Sequence, residues 1–368
     1  MNLHLLQRAS RNANMAQLHL VFFVTAITTE LCIRTQLYLT HYPQLGGHGL
    51  HIAHLLWGGL FMLAALGILL SLLGRRARQV AALVGGVGFG FFIDELGKFI
   101  TADNNYFYKP AAGLIYLIFI GLYLGSRAYQ RHRGLDDAER VRNAVELIGE
   151  ATRGPFKLEY RDQALALLDE VPPTHPLRDP LIGVAEHIDT TPNPDPPWYR
   201  RLADAVAAGY ARWSEHAWFH HVVLGVFVLW ALASIVTVLG FVLAFGFAGD
   251  AARAGFQQDS VSHLNFLNLA TLASTAVSTI FVVFGLARLL RGERLDAYVW
   301  FTRALLVSIF VTRVFTFVES QFGAVFGLAV DVLLLISIQL MATQERRRRP
   351  APPPPLRPAG GSAAPALG

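Results

Sequence analysis

Eight apolar stretches, each long enough to cross a bilayer, alternate with arginine clusters along this chain of 368 residues. They run roughly over 18–38, 52–73, 80–100, 111–129, 219–247, 264–290, 297–320 and 322–341. A hydrocarbon core of ~30 Å takes about 20 apolar residues at ~1.5 Å rise each, and every run meets or nearly meets that length. Charged residues make up 15% of the chain, against about 25% in soluble domains. Buried helices of a soluble core do not account for eight such runs in succession. The expected fold class is all-α: a polytopic membrane protein with eight transmembrane helices.

Orientation follows from Lys and Arg, which favour the cytoplasmic side of short loops. Arg8 and Arg11 precede the first run, which reads as a retained signal anchor. Arg75, Arg76 and Arg78 follow the second run, and Arg127, Arg131 and Arg133 follow the fourth. Arg288, Arg291 and Arg294 follow the sixth, and Arg346 to Arg349 close the eighth. The loops between carry almost no basic residues. The alternation places both termini in the cytoplasm, with the protein in the inner (plasma) membrane. The net charge of +5 lies beside the spans. It therefore points to anionic lipid at the cytoplasmic face and not to nucleic acid. The single cysteine, Cys32, excludes an intrachain disulfide.

A hydrophilic insert separates two groups of four spans. Four segments result: a first transmembrane half at 1–133, a cytoplasmic helical insert with a Pro-rich linker at 134–197, an interfacial helix and second half at 198–345, and a disordered basic and Pro-rich tail at 346–368. Val141, Val145 and Ile148, then Leu165 and Leu168, recur at helical spacing in the insert, which is a candidate surface for a protein partner. Trp198, Trp213 and Trp218 with Arg200, Arg201 and Arg212 fit a helix lying on the inner leaflet. An ordinary soluble helix leading into span five fits nearly as well. Gly74-Arg75-Arg76 is answered by Gly292-Glu293-Arg294 at the matching place of the second group, a pattern-level repeat. Both groups start inside, so the halves would be parallel.

Ionisable groups inside spans cost roughly 2.5–3.5 kcal/mol each near the centre and often mark function. The first half holds Glu30 and Arg34 in span one, His51 and His54 opening span two with His48 before it, and Asp94, Glu95 and Lys98 in span three. Their heights along the spans agree, all in the outer half. Gly86, Gly90, Asp94 and Lys98 recur every four residues, and Gly86-x-x-x-Gly90 lets a neighbouring helix approach closely. Asp94–Lys98 and Glu30–Arg34 are candidate i,i+4 ion pairs. His51 and His54 share a helix face, extended by His48 if the helix begins earlier. With carboxylates from another helix they would suit a divalent transition metal. A proton-responsive cluster and plain interfacial histidines are the other readings. In the second half, Arg313 pairs with Glu319 or Asp331 as a structural expectation.

No Gly-rich phosphate loop with Lys-Ser/Thr, Gly-x-Ser-x-Gly or paired-cysteine motif is present. The stretch Phe92-Ile93-Asp94-Glu95-Leu96-Gly97-Lys98-Phe99-Ile100-Thr101, followed by Asp103-Asn104-Asn105-Tyr106-Phe107 and preceded by His51-x-x-His54, resembles one found in uncharacterised bacterial multi-pass membrane proteins. The resemblance covers mainly spans two to four. It implies an integral membrane protein and no reaction.

Three functions remain open from sequence. In ion- or proton-linked transport, Asp94, Glu95 and the histidines bind a cation, with Lys98 and Arg34 as counter-charges. In a metal-dependent membrane hydrolase or transferase, His51 and His54 hold the metal, and Glu95 or Asp94 acts as ligand or general base. In a non-catalytic scaffold, the insert recruits a partner.

Overall fold

The computed structural model describes residues 10–40, 54–103, 105, 108–131, 134–193, 195, 198–246, 266–321 and 323–348. Each of the eight apolar runs forms a helix long and apolar enough to cross a membrane. Before the insert come α1 (Met15–Leu39), α2 (His54–Ser71), α3 (Arg75–Asp94), a short α4 (Leu96–Ile100) and α5 (Lys109–Arg131). The insert forms α6 (Asp137–Gly149), α7 (Leu158–Asp169) and α8 (Arg178–His187). Phe156–Lys157 pairs in parallel with Thr190–Thr191, the only strand pair among the described residues. Then come α9 (Trp198–Ser214), α10 (Ala217–Gly246), α11 (Phe266–Leu290), α12 (Arg294–Val307), α13 (Arg313–Ser320) and α14 (Gly323–Arg348). A π turn over Ser308–Thr312 joins α12 to α13 within one span. The tail expected to be disordered lies outside the described residues, apart from its first few positions.

Large apolar side chains line the outside of these helices. On α2 alone, Leu56, Leu60, Leu63, Leu66, Leu69 and Leu70 are exposed. Such a surface suits a hydrocarbon solvent and would drive aggregation in water.

The chain divides into two compact units, Met1–Arg201 with Val314–Ala324, and Leu202–Arg313 with Val325–Gly368. In the first, α3 is the central helix, gripped from two sides. A Cβ added at Gly86 would lie 2.6 Å from the Phe22 carbonyl oxygen of α1, and one at Gly90 2.6 Å from that of Ala26. On the other side, a Cβ at Gly58 of α2 would lie 2.8 Å from the Gly88 oxygen, and one at Gly88 2.8 Å from the Gly58 oxygen. Only glycine allows backbones this close. The expected Gly86–Gly90 seam is therefore present, and its partner is span one.

The insert docks on the near ends of α1 and α3. Its own core is Val141, Ala144 and Leu147 against Ala164, Leu168 and Val171, with Ile148 packed at the margin. The stripe centres on Ala144, so Val145, expected inside, turns out to solvent, and Leu165 is only half-buried. Asp136 and Glu139 form a capping box at the start of α6. Glu139 also takes Arg11: Nη2 donates to Oε2 at 2.8 Å, and Nε and the backbone N–H donate to Oε1 at 3.1 Å. This holds the Glu139 carboxyl at about 2, well below its usual 4.5, and raises Arg11 further. Asn143 clasps the backbone of Arg11 and Ala13, while Arg75 donates to Gln163 at 2.7 Å and Arg78 pairs with Glu146.

The second unit packs Phe219, Val223, Phe227 and Ala231 of α10 against Val282, Phe301, Leu305, Leu334 and Ile338. Phe227 and Phe301 stack at 4.4 Å between centroids. Arg313 pairs with Asp331 (Nε to Oδ2, 2.7 Å), and Ser308 Oγ donates to the same oxygen at 2.8 Å. Ser308 and Arg313 are five residues apart. The i to i+5 closure of the π turn brings both to one side, where an α-helix would splay them.

Candidate functional site

The site lies at the end of α1–α3 farthest from the insert. Asp94 is the last residue of α3, 19 residues beyond Arg75 and thus ~29 Å along the axis. That is nearer the end of the span than counting from the apolar run alone implies.

The expected unbroken helix through Lys98 is not what forms. Glu95 terminates α3 with its N–H on the Ile93 carbonyl, and α4 starts at Leu96. In a continuous helix the Asp94 carbonyl would accept from Lys98 N–H. Here Lys98 N–H goes to Glu95 O at 3.0 Å. Arg34 of α1 donates from Nη2 to the Asp94 carbonyl at 2.8 Å and from Nε to the Asp94 Oδ1. A charged side-chain donor replaces the backbone donor. The break also removes the ~100° offset between consecutive helical residues. Asp94 and Glu95 both point inward and are essentially fully buried.

The expected pairings change accordingly. Lys98 pairs with Glu95 at i,i+3, Nζ to Oε2 at 2.8 Å. Arg34 serves Asp94 first, with Glu30 at 4.0 Å. His54, the first described residue of α2, completes the group. Its backbone N–H donates to Glu95 Oε1 at 3.1 Å. Its Nδ1 lies 3.5 Å from Asp94 Oδ2 and 3.6 Å from Glu95 Oε1. Phe91 packs against the imidazole at 6.0 Å and stacks on Phe61, closing the inner side with apolar rings.

Of the sequence candidates, Glu30, Arg34, His54, Asp94, Glu95 and Lys98 thus form one connected group from α1, α2, α3 and α4. His48 and His51 lie outside the described residues. Among the described residues, His54, Asp94 and Glu95 are the one set of three or more such side chains placed to share a metal ion. Among the described residues, the carboxylates of Glu30, Asp94 and Glu95 gather here with the cationic side chains of Arg34 and Lys98. A low-dielectric site does not tolerate an uncompensated charge cheaply.

Arg34 was legible as a local partner of Glu30 and as a counter-charge to the carboxylates, but not as a donor to the Asp94 backbone carbonyl. The signal for its wider role is the shared spacing. Phe22, Ala26, Glu30 and Arg34 recur every four residues on α1, as Gly86, Gly90 and Asp94 do on α3. The contacts Phe22–Gly86 and Ala26–Gly90 fix a parallel register that carries Asp94 to the Glu30–Arg34 turn. No family profile, curated protein or solved structure matches the chain.

Proposed function

We propose that the protein is an ion-linked membrane transporter. In this reading the His54–Asp94–Glu95 group binds the transported or coupling cation, a proton included. The observation that carries the reading is the convergence of two buried carboxylates on His54 Nδ1, which has no hydrogen-bond partner among the described residues. Arg34 and Lys98 act as fixed counter-charges that limit the group to a single cation. The arginine pattern orients the molecule in an inner (plasma) membrane with insert and termini in the cytoplasm and the site towards the outer face. The tight loops before α3 and α12 each turn on a positive-φ glycine, Gly74 at 101° and Gly292 at 80°. This supports reading the two groups of four spans as parallel repeats, one of which carries the site. Exposed Leu202, Val206 and Trp213 share one face of α9 with the arginines on the other, which supports an inner-leaflet helix contacting anionic lipid.

Reconstitution in sealed liposomes tests this. With an ion-sensitive dye inside, the wild type moves protons or a metal cation down an imposed gradient, and Asp94→Asn abolishes the flux. Flux that is unchanged in Asp94→Asn, or absent in the wild type for every cation tried, rejects the reading.

A second reading is a metal-dependent membrane hydrolase or transferase. The position of Asp94 at the helix end, where headgroups and exported substrates are accessible, favours it over a midplane transport site. Hydrolysis or transfer in the same liposomes, without flux, would distinguish it.

A further inference from the structure

The two carboxylates are divided in the same way. Asp94 gives Oδ1 to Arg34 and turns Oδ2 to His54. Glu95 gives Oε2 to Lys98 and turns Oε1 to His54. Between them stands His54 Nδ1, a buried nitrogen with no hydrogen-bond partner among the described residues. Its separations of 3.5 and 3.6 Å are too long for hydrogen bonds. They match something else. Nitrogen and oxygen donors bound tetrahedrally at ~2.0–2.2 Å from a metal stand about 3.3–3.6 Å apart.

We infer that His54 Nδ1, Asp94 Oδ2 and Glu95 Oε1 form a three-ligand site for a divalent transition metal of the zinc class. This rests on the reading of the group as a cation site and names the cation. All three ligand atoms lie within 4.8 Å of one another. A mixed imidazole–carboxylate set selects zinc, cobalt, manganese or iron over calcium and magnesium, which favour oxygen alone. Arg34 and Lys98 occupy the place of outer partners that orient ligating carboxylates. Three protein ligands leave a coordination position open, the pattern of exchangeable or reactive metals and not of structural ones.

The test uses the full-length, untagged protein in detergent, stripped with chelator and titrated with Co2+. The wild type binds stoichiometric cobalt with the intense visible absorption of tetrahedral coordination, displaced by Zn2+. His54→Ala weakens binding at least about 100-fold. Lys98→Met weakens it about 10–100-fold, as loss of an outer partner does. His54→Cys retains binding and adds a thiolate-to-cobalt charge-transfer band, a signature that a structural role does not produce and that appears only in folded protein. Three outcomes overturn the inference: no cobalt or zinc bound by folded wild type, binding unchanged in His54→Ala, or binding lost in His48→Ala/His51→Ala but kept in His54→Ala. Flux without bound metal removes the metal and leaves the transport reading standing. Bound metal without flux does the reverse.

Discussion

Arg34 donates to the backbone carbonyl of Asp94 at 2.8 Å, holding open the helix end that Glu95 breaks. It also carries the charge that balances the Asp94 side chain. Arg34→Leu is therefore expected to destabilise the protein by about 3–5 kcal/mol, the cost of stranding a buried charge. Asp94→Asn in the same background should recover part of that loss. Thermal unfolding in detergent measures both, and additive losses would show that the two residues do not act as a pair.

The glycine seams predict opposite outcomes for one chemical change. At Gly90 a Cβ would meet Ala26 O at 2.6 Å and Thr29 Cβ at 2.7 Å. Gly90→Ala should cost about 1–3 kcal/mol through forced separation of α1 and α3. At Gly121 of α5 nothing lies within 4 Å. Gly121→Ala should be neutral or gain up to about 1 kcal/mol from helix propensity. Equal melting temperatures for the two variants would contradict the seam.

Docking of the insert should weaken in acid. The Glu139 carboxyl is depressed by Arg11 from 4.5 to about 2. A depressed carboxyl contributes stability that is fully present above its unfolded value and lost as pH falls through the folded one, here between 4.5 and about 2. The contribution is up to about 3 kcal/mol. The protection of α6 amides, measured as exchange relative to the intrinsic rate at each pH, should fall through that window in the wild type. Glu139→Gln should exchange faster at neutral pH and lack that step.

In the second unit, Asp331 is nearly fully buried and accepts from both Ser308 and Arg313. Ser308→Ala removes one neutral donor and should cost about 1 kcal/mol. Arg313→Ala strands the charge and should cost about 3–5 kcal/mol. Gly327→Ala should resemble the milder of these or exceed it, because its Cβ would fall on the Arg313 guanidinium. Unfolding midpoints rank the three, and a harmless Arg313→Ala would show the pair to be dispensable.

Span positions were legible because apolar length is a local property of sequence, and the eight helices long and apolar enough to cross a membrane follow the apolar runs closely. The His/Asp/Glu gathering was legible in part, since equal heights on three helices already bring Glu30, His54 and Asp94 near one another. The pairing was not. Asp94–Lys98 and Glu30–Arg34 are what one helix alone offers, whereas Arg34–Asp94 needs the register set by Gly86 and Gly90 against a second helix. The break at Glu95 had no local warning either. Phe92-Ile93-Asp94-Glu95-Leu96 holds no Gly or Pro, and the helix yields there to a donor arriving from another span. The π turn at Ser308–Thr312 is of the same kind, legible only with Asp331 in place.

The two backbone-to-backbone seams have a mechanical consequence. Turning α3 by a single residue would drive Phe89 or Phe91 into space already filled by carbonyls of α1 and α2, so none of the three can roll or slip past another. They behave as one jammed block.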